Sequence, residues 1–447
     1  MQNWVITRWY LALAVFSVGA TAIVVARQGV SANPLLRAIS IPGRPIAVVV
    51  DERAGRAFVV DRGTNVNPGT VTVLATRDGT VLNTVFAGSV PRVAAVDSRD
   101  AHVFVIDQAG HGVAMLAARS GIVLASVPAF PNGHTGDVNI SGPQTIVTDV
   151  AVDELRQRAF VAVGSGYADV SGGITVYDAR SGHVQRVIEV GQGISNLAVD
   201  PPTGHVFALD NVANQVMLID VASGTLLRTS PVGQDPTAMA LDVRTRRLFV
   251  ASGGSGAAAG SPTGRGAISV IDARSGAVLR TIAAGIAPLV MAIDQQTSRL
   301  FVANAGSTDA QGNYMGDGSI TMLDTHTGAV LSTVTMAQSP TALAVDARTR
   351  RVYVATRGSV SSPGSLVALD ARSGALLRTV LVGLNPTSVA VDERLGRVFV
   401  TESGGVAQTP GTWSWLPGTL RQWATLLPGQ GTSTRVVPAG VNVLRPM

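Results

Sequence analysis

Short apolar segments that end in aspartate recur along this chain from residue 35 onward. Each segment reads as a buried strand, and a four-residue polar turn leads from it into a second strand such as RVFV. A variable loop, a third strand such as ISVID, a tight turn and a strand such as AVLRTI follow. Residues 341–385 show the whole unit, which the pattern predicts to be four short strands.

The aspartates that end the first strand of each unit set the period of the repeat. They lie at positions 51, 97, 153, 200, 242, 294, 346 and 392, so seven intervals cover 341 residues, a mean of about 49. Four strands in 40–50 residues, with glycine in the turns, are typical of a β-propeller blade. The sequence therefore predicts an all-β propeller with eight four-stranded blades, and a seven-bladed ring with one displaced unit is the alternative.

The two ends of the repeat region complement each other. Residues 35–45 align with the outer strand and following loop at 377–386, and they precede the first complete unit. The eighth unit has its first two strands at 387–401, and its third-strand match, GVNVL, comes at 440–444. We expect the N-terminal outer strand to complete the C-terminal blade, which closes the ring without exposed sheet edges.

The N-terminus carries an apolar segment that is separate from the repeat. Residues 9–26 are an uncharged run of 18 residues between Arg8 and Arg27, long enough to span a bilayer as a helix. The alternatives are a signal peptide cleaved after Ala22 or Ala32, or a buried core helix. We therefore divide the chain into a signal anchor or signal peptide with its linker at 1–33 and a propeller at 34–447. The propeller is expected to be extracytoplasmic and membrane-anchored, or secreted if the signal is cleaved.

The repeat resembles that of the YVTN-repeat β-propeller family over roughly residues 35–403. The matching residues are Pro-Thr-x-x-Ala-Val-Asp, then Arg-Val-Tyr-Val-Ala, a Val-x-Val-Ile-Asp-like strand and Gly-x-Val-Leu-x-Thr-Val. This resemblance implies a propeller fold and a binding or surface role on the export side. It implies no particular activity.

The amino-acid composition excludes several kinds of functional site. The 447 residues include no cysteine, and all 34 basic residues are arginine, which excludes disulfides, thiolate metal sites, a cysteine nucleophile and Schiff-base lysines. The net charge is only +5, and charged residues (14%) are scattered, so no nucleic-acid surface is expected. We predict no cofactor and no metal, and we expect a monomeric propeller.

Two polar positions recur in every unit and are therefore interpreted as structural. The strand-end aspartate is followed five residues later by a basic residue, which an antiparallel hairpin brings near it. A feature repeated in every blade is not needed for a single catalytic site. These blade-turn residues are Asp51, Arg56, Asp97, His102, Asp153, Arg158, Asp200, His205, Asp242, Arg247, Asp294, Arg299, Asp346, Arg351, Asp392 and Arg397.

Candidate binding residues are those that vary between units on the face where the variable loops open. The last residue of the second strand is polar in seven of the eight units, which suits either a binding ring or capping of the adjacent loops. The histidines that lie outside the repeat positions are found in loops of the same face, near aspartates. The candidates are Asp61, Asp107, His111, His134, Asp137, Asp210, Asn304 and Glu402.

All five tryptophans lie outside the regular blades. Trp4 precedes the apolar run and Trp9 is its first residue. The other three tryptophans lie in an insertion within the last blade at 404–438. The insertion either folds onto the propeller as a cap or lies in the membrane interface. The residues that make this contact are Trp413, Trp415 and Trp423.

Three functions are compatible with the sequence. The first is a non-enzymatic exported propeller that binds a ligand, a polysaccharide or a protein through its loops. The second is a quinoprotein-like oxidoreductase, because ALDARSGALLR at 368–378 resembles the Ala-x-Asp-x-x-Thr-Gly-x-x-x-Trp repeat of those propellers, although the tryptophan is replaced in every unit and no vicinal cysteines exist. The third is a lactonase- or lyase-like propeller enzyme, which would need His111 or His134.

Overall fold

The computed structural model describes residues 35–64, 67–108, 112–129, 145–165, 172–253, 265–307, 318–358, 363–409, 433–437 and 439–447. Within these residues 34 strands form eight four-stranded antiparallel sheets and one two-stranded hairpin, with no helix. The first strands of successive sheets contact one another around a closed ring, from the last sheet back to the first. The chain is thus an eight-bladed β-propeller, as predicted, and the seven-bladed alternative is wrong.

Blades 1 to 7 each use four consecutive strands, arranged in chain order from the central channel outward. Blade 1 is β2 (Pro45–Asp51), β3 (Arg56–Asp61), β4 (Gly69–Ala75) and β5 (Val81–Gly88). Blade 2 is β6 (Pro91–Asp97), β7 (His102–Asp107), β8 (Gly112–Ala117) and β9 (Val123–Pro128). Blade 3 is β10 (Thr145–Asp153), β11 (Arg158–Ser165), β12 (Gly173–Asp178) and β13 (Val184–Glu189). Blade 4 is β14 (Ile194–Asp200), β15 (His205–Asp210), β16 (Gln215–Asp220) and β17 (Thr225–Pro231). Blade 5 is β18 (Pro236–Asp242), β19 (Arg247–Ser252), β20 (Arg265–Asp272) and β21 (Val278–Ile286). Blade 6 is β22 (Pro288–Asp294), β23 (Arg299–Asn304), β24 (Ser319–Asp324) and β25 (Val330–Thr335). Blade 7 is β26 (Pro340–Asp346), β27 (Arg351–Thr356), β28 (Ser365–Asp370) and β29 (Leu376–Leu381).

Blade 8 joins the two ends of the repeat region. Its strands are β30 (Pro386–Asp392), β31 (Arg397–Glu402), β34 (Gly440–Leu444) and β1 (Leu35–Ser40), in that order outward. β1 pairs with β34 from Leu35↔Leu444 to Ser40↔Gly440. This confirms the predicted closure by an N-terminal outer strand. The insertion in this blade starts and ends in a separate hairpin, β32 (Gly405–Thr409) with β33 (Ser433–Val437).

The core lies between neighbouring blades and is built mainly from the second and third strands. Each second strand is buried along nearly its whole length, because the faces of a blade pack against the blades on both sides. Its third residue is a fully buried aromatic side chain in every blade. These residues are Phe58, Phe104, Phe160, Phe207, Phe249, Phe301, Tyr353 and Phe399.

The aspartates at the ends of the first strands cap the turns that follow them. We call this end of the propeller the lower face and the opposite end, where the first strands begin, the upper face. Asp242 is fully buried, and its Oδ1 accepts the N–H groups of Arg244 and Thr245 at 2.9 and 3.1 Å. The other seven aspartates also accept turn N–H or hydroxyl groups. Such capping satisfies the backbone of a tight turn.

Four of the eight basic residues five positions later connect neighbouring blades, and none of the eight forms an ion pair with the strand-end aspartate of its hairpin among the described residues. Arg247 of blade 5 donates from Nη1 to the carbonyl of Thr325 in blade 6, at 3.0 Å. Arg56, His102 and Arg397 have corresponding partners, the carbonyls of Arg119, Ala179 and Arg77 in the next blade. Arg299 differs, because it pairs with Asp324 of its own blade at 3.1 Å. In blades 1, 2, 5 and 8 the basic side chain therefore bonds the next blade and not the aspartate of its own hairpin.

Replacing Arg247 by methionine should lower the free energy of unfolding by about 1 kcal/mol, because the Thr325 carbonyl loses a charged donor. Urea unfolding followed by far-UV circular dichroism measures the change. Arg246→Met is the matched control, since this exposed neighbour should shift stability by less than about 0.5 kcal/mol. Equal effects of the two variants would contradict a role for the link between blades.

Candidate functional site

The upper part of the channel wall is made by the first residues of the inner strands. In blades 5, 7 and 8 a threonine at the second position donates its hydroxyl to the carbonyl that begins the next inner strand. Thr341 bonds Pro386 at 2.8 Å, and Thr387 bonds Pro45 at 2.9 Å, across the junction between blades 8 and 1. These bonds fix the spacing of the blades around the upper mouth of the channel, so the wall is a rigid frame for side chains that point from it.

The predicted ring at the ends of the second strands lies one strand behind this wall. Asp61, for example, is the cross-strand partner of Pro45. The aspartates of the ring are buried, and their oxygens accept N–H groups of the loop that enters the same blade. Asp107 accepts from Ser89 and Val90 at 2.9 and 2.8 Å, and Asp61 accepts from Arg44 and Gly63. These contacts favour the loop-capping interpretation over a ligand-binding ring for these side chains.

Asp210 and Asn304 have the same kind of role. Asp210 accepts four loop N–H groups, from Gln192, Gly193, Val212 and Ala213. Asn304 accepts the Gly285 N–H at 3.1 Å and donates to the hydroxyl of Thr321 at 3.0 Å. Every polar atom of the two side chains thus faces protein, which leaves little for a ligand to contact.

Glu402 differs from the other members of the ring because its charge is poorly compensated. Burial raises the pKa of its carboxyl to about 7, although the Asn442 side chain and the Gly383 N–H lower it through hydrogen bonds. Its side chain is 9% exposed behind Pro386, its cross-strand partner. A carboxyl of this kind changes its charge near neutral pH.

The channel mouth itself contains a cavity of about 490 Å³, bounded by blades 1, 2, 6, 7 and 8. Its floor and walls are apolar or carry the threonine hydroxyls already described, and three arginines provide the only charges of its lining. None of the described residues that line it is acidic. The lining residues are Ile46, Ala47, Arg62, Arg92, Val93, Leu289, Pro340, Thr341, Arg357, Pro386 and Thr387.

The three arginines reach the cavity from different positions of the repeat. Arg62 and Arg357 directly follow the second strands of blades 1 and 7. Arg92 takes the place that threonine holds in the inner strands of blades 5, 7 and 8, and its Nη1 donates to the Gln108 side chain at 3.3 Å. All three side chains are exposed. Three positive charges on a cavity whose described lining carries no acidic residue produce a local positive potential that attracts anions.

The sequence analysis did not identify these arginines, because it considered the end of the second strand, a position that is polar in most units. A signal for them exists in the departures from the repeat. Arginine follows the second strand only in blades 1 and 7, and it occupies the second position of the inner strand only in blade 2. A rare residue type at a repeated position, facing the channel, indicates a role specific to one site.

Several predicted residues lie outside the part of the chain that the structure describes. They are His111, His134, Asp137, Trp413, Trp415, Trp423 and the apolar segment at 9–26. Across the described ranges, no group of three or more His, Asp or Glu side chains is arranged to hold a metal ion. The same residues contain no helix with the length and apolar character needed to cross a membrane.

Residues 195–410 match the model of the family described as Choice-of-anchor I domain. The matched part runs from blade 4 into the insertion of blade 8. This supports a propeller-type domain and does not confirm the resemblance to the YVTN-repeat family. No curated protein sequence matches the chain.

Solved structures share the fold at low sequence identity. Dihydro-heme d1 dehydrogenase NirN in complex with DHE is 18% identical, with a TM-score of 0.55, over 77% of this chain and 66% of that chain. The chain therefore spans slightly less than two thirds of that protein. Sqt1 of Saccharomyces cerevisiae is 11% identical with a TM-score of 0.61, over 93% and 100% of the two chains. Hydrazine synthase of Kuenenia stuttgartiensis is 14% identical with a TM-score of 0.50, over 85% and 96%. At these identities the likeness concerns the fold alone.

Proposed function

We propose that this chain is a non-enzymatic binding protein that holds an anionic ligand in the upper mouth of its channel. The observation that carries the proposal is the group of three arginines, Arg62, Arg92 and Arg357, on a cavity whose described lining has no acidic residue. A ligand with carboxylate or sulfate groups, such as an acidic oligosaccharide, matches both the charge and the size of the cavity.

The chemistry of arginine suits this kind of ligand. A guanidinium group presents donors in a planar fork that matches two carboxylate oxygens, and it stays charged at any physiological pH. The apolar wall, with Ile46, Val93 and Leu289, supplies a surface for the non-polar faces of sugar rings. The hydroxyls of Thr341 and Thr387 are used within the wall, so recognition rests on the three charges and on shape.

The proposal includes an extracytoplasmic position for the propeller. The apolar run at 9–26 supports a membrane anchor, with secretion after cleavage as the second possibility. The match to a Choice-of-anchor I domain supports a surface or extracellular role. A binding protein held at a surface needs an accessible ligand site, which the upper mouth provides.

Binding of trigalacturonate to the full chain, measured by isothermal titration calorimetry in detergent, tests the proposed ligand class. We expect the affinity to fall at least tenfold in the triple variant Arg62→Gln, Arg92→Gln and Arg357→Gln, because three charged contacts are lost. Maltotriose, which has a similar size and no charge, should not bind. The affinity of the unaltered protein should fall as salt increases.

A second triple variant separates a specific site from general charge. Arg180→Gln, Arg274→Gln and Arg372→Gln remove the same charge from exposed turns of the lower face. This variant should bind trigalacturonate as the unaltered protein does. An equal loss of affinity in both variants, or none in the first, would overturn the proposed site.

A further inference from the structure

Every outer strand contains a β-bulge near its start, at its second residue in seven blades and at its third residue in blade 4. In blade 1, Val81 pairs with Leu74 and Asn83 pairs with Val73, so that Leu82 has no partner in the neighbouring strand. The same register shift occurs in all eight blades. The bulged residues are Leu36, Leu82, Leu124, Gln185, Leu227, Leu279, Leu331 and Leu377. Seven of the eight are therefore leucine.

Six of these leucines are half exposed and form what we call the rim leucines: Leu82, Leu124, Leu227, Leu279, Leu331 and Leu377. Their relative exposure lies between 43% and 51%. Each is preceded by an apolar residue that is also exposed, such as Val278 before Leu279. Because they follow directly on the turn between the third and outer strands, they lie at the lower end of the outer edge of each blade.

The bulge itself does not require leucine. A bulge at an outer strand twists the edge and discourages pairing with another sheet, whatever its side chain. Blade 3 makes the same bulge with Gln185, whose side chain is exposed. Leucine in the other blades thus adds an apolar side chain to the surface, at a site where folding is satisfied by a polar one.

The lower face next to the rim leucines carries exposed positive charge. Arg274 lies five residues before Leu279, and Arg77, Arg119 and Arg372 have the same spacing to the rim leucines of their blades. Among the described turns of this face, Asp78 is the one exposed acidic residue. Five aspartates at the ends of the third strands are partly exposed, and their oxygens accept N–H groups of their own turns; they are Asp178, Asp220, Asp272, Asp324 and Asp370. The exposed arginines of these turns are Arg53, Arg77, Arg99, Arg119, Arg156, Arg180, Arg244, Arg246, Arg274, Arg348, Arg350, Arg372, Arg394 and Arg445.

We infer that the lower face docks on the surface of a membrane with anionic lipids, through the rim leucines and the arginines beside them. Exposed apolar side chains within a basic surface are the combination that inserts into the headgroup region of such a membrane. The start of the propeller agrees with this orientation, because β1 begins at the lower face with Leu35. Only eight residues, 27–34, separate that strand from the apolar run, a span of at most about 28 Å.

Flotation with vesicles tests this surface without the N-terminal segment. Residues 34–447 form one compact unit and contain every described strand, so a chain that begins at residue 34 keeps all eight blades. We expect this shortened chain to float with vesicles of phosphatidylcholine and 30% phosphatidylglycerol and not with phosphatidylcholine alone. The quadruple variant Leu227→Ser, Leu279→Ser, Leu331→Ser and Leu377→Ser should reduce the bound fraction at least tenfold.

The matched control changes exposed apolar residues at the upper ends of the blades. Phe86→Ser, Val212→Ser and Leu381→Ser alter side chains that are at least as exposed as the rim leucines, and this variant should float like the unaltered shortened chain. A second variant, in which Arg77, Arg119, Arg274 and Arg372 become glutamine, should float no better with the vesicles that contain phosphatidylglycerol than with phosphatidylcholine alone. Far-UV circular dichroism and the melting temperature establish that each variant is folded.

Three outcomes would overturn the inference. One is a shortened chain that does not float with the anionic vesicles, and another is an equal loss in the lower-face and upper-face variants. The third is a concentration-dependent dimer that the leucine variant abolishes, which would assign the lower face to a second copy of the chain. Trigalacturonate binding by the leucine variant should be unchanged, so failure of this inference and failure of the proposed ligand site are distinguishable.

Discussion

Replacing Val443 by aspartate should lower the free energy of unfolding by at least about 4 kcal/mol, because it buries a carboxylate without a partner at the closure of the ring. Val443 is fully buried in β34, where Phe399 of β31 and Arg37 of β1 are its cross-strand partners. Its side chain also lies against Gly79 of blade 1. The substitution therefore disturbs both blade 8 and its contact with blade 1.

The expected loss of stability is large enough to show whether β34 holds the ring closed. A folded domain has a net stability of only about 5–15 kcal/mol, so the expected loss removes a large part of it. Urea unfolding followed by far-UV circular dichroism measures the change as a lower midpoint or as the absence of a folded baseline. The tryptophans are unsuitable as probes, since all five lie outside the blades.

Arg445→Asp is the matched control, two residues further along the chain. Arg445 is exposed, so the same aspartate remains in water there and should change stability by less than about 0.5 kcal/mol. A Val443→Asp protein with the midpoint of the unaltered chain would show that β34 does not hold the ring closed. Comparable losses in both variants would show an effect of charge alone.

The architecture could be predicted from the sequence because its information is local and repeated. An apolar strand that ends in Asp51 and its seven counterparts sets the number of blades, and the match of residues 35–45 to 377–386 predicts the shared blade. Each unit repeats the same pattern of apolar strands and polar turns, so a pattern that is weak in one unit becomes clear over eight units.

The residues of the two proposed surfaces could not be predicted in the same way. Arg62, Arg92 and Arg357 meet only because the ring brings blades 1, 2 and 7 to one cavity. The unpaired position of the rim leucines follows from a β-bulge that only the register of the outer strands shows. Both features depend on pairing and closure, which a linear pattern does not contain.

The ring at the ends of the second strands shows a different limit. The sequence identified Asp61, Asp107 and Asp210 as polar and variable, which is correct, but polarity does not tell whether an oxygen faces solvent or a loop N–H. In the structure, loop N–H groups donate hydrogen bonds to these oxygens, which favours the loop-capping interpretation. Burial likewise raises the pKa of Asp149, in the inner strand of blade 3, to about 6, although nothing in its neighbours in the chain indicates this.

Glu402→Gln should raise the free energy of unfolding at pH 8 by about 2 kcal/mol and have little effect at pH 4. Burial raises the pKa of Glu402 from 4.5 to about 7 in the folded protein, so the folded state binds the proton more tightly than the unfolded chain. Stability from this group is therefore fully present below about pH 4.5 and is lost as pH rises through about 7. Each unit of pKa difference is worth about 1.4 kcal/mol, and partial access of water to the carboxyl reduces the total.

Urea unfolding at half-unit steps from pH 4 to pH 8 measures this dependence. The unaltered protein should lose stability between about pH 5 and pH 7.5, and Glu402→Gln should flatten the upper part of that curve. The part below about pH 6 should remain, because the pKa of Asp149 is also raised. Asp78→Asn is the control, since hydrogen bonds from Thr80 lower the pKa of this exposed carboxyl and keep it ionised over the upper part of that range. It should leave the slope above pH 5 unchanged, whereas an equal slope in Glu402→Gln and the unaltered protein would place the titrating group elsewhere.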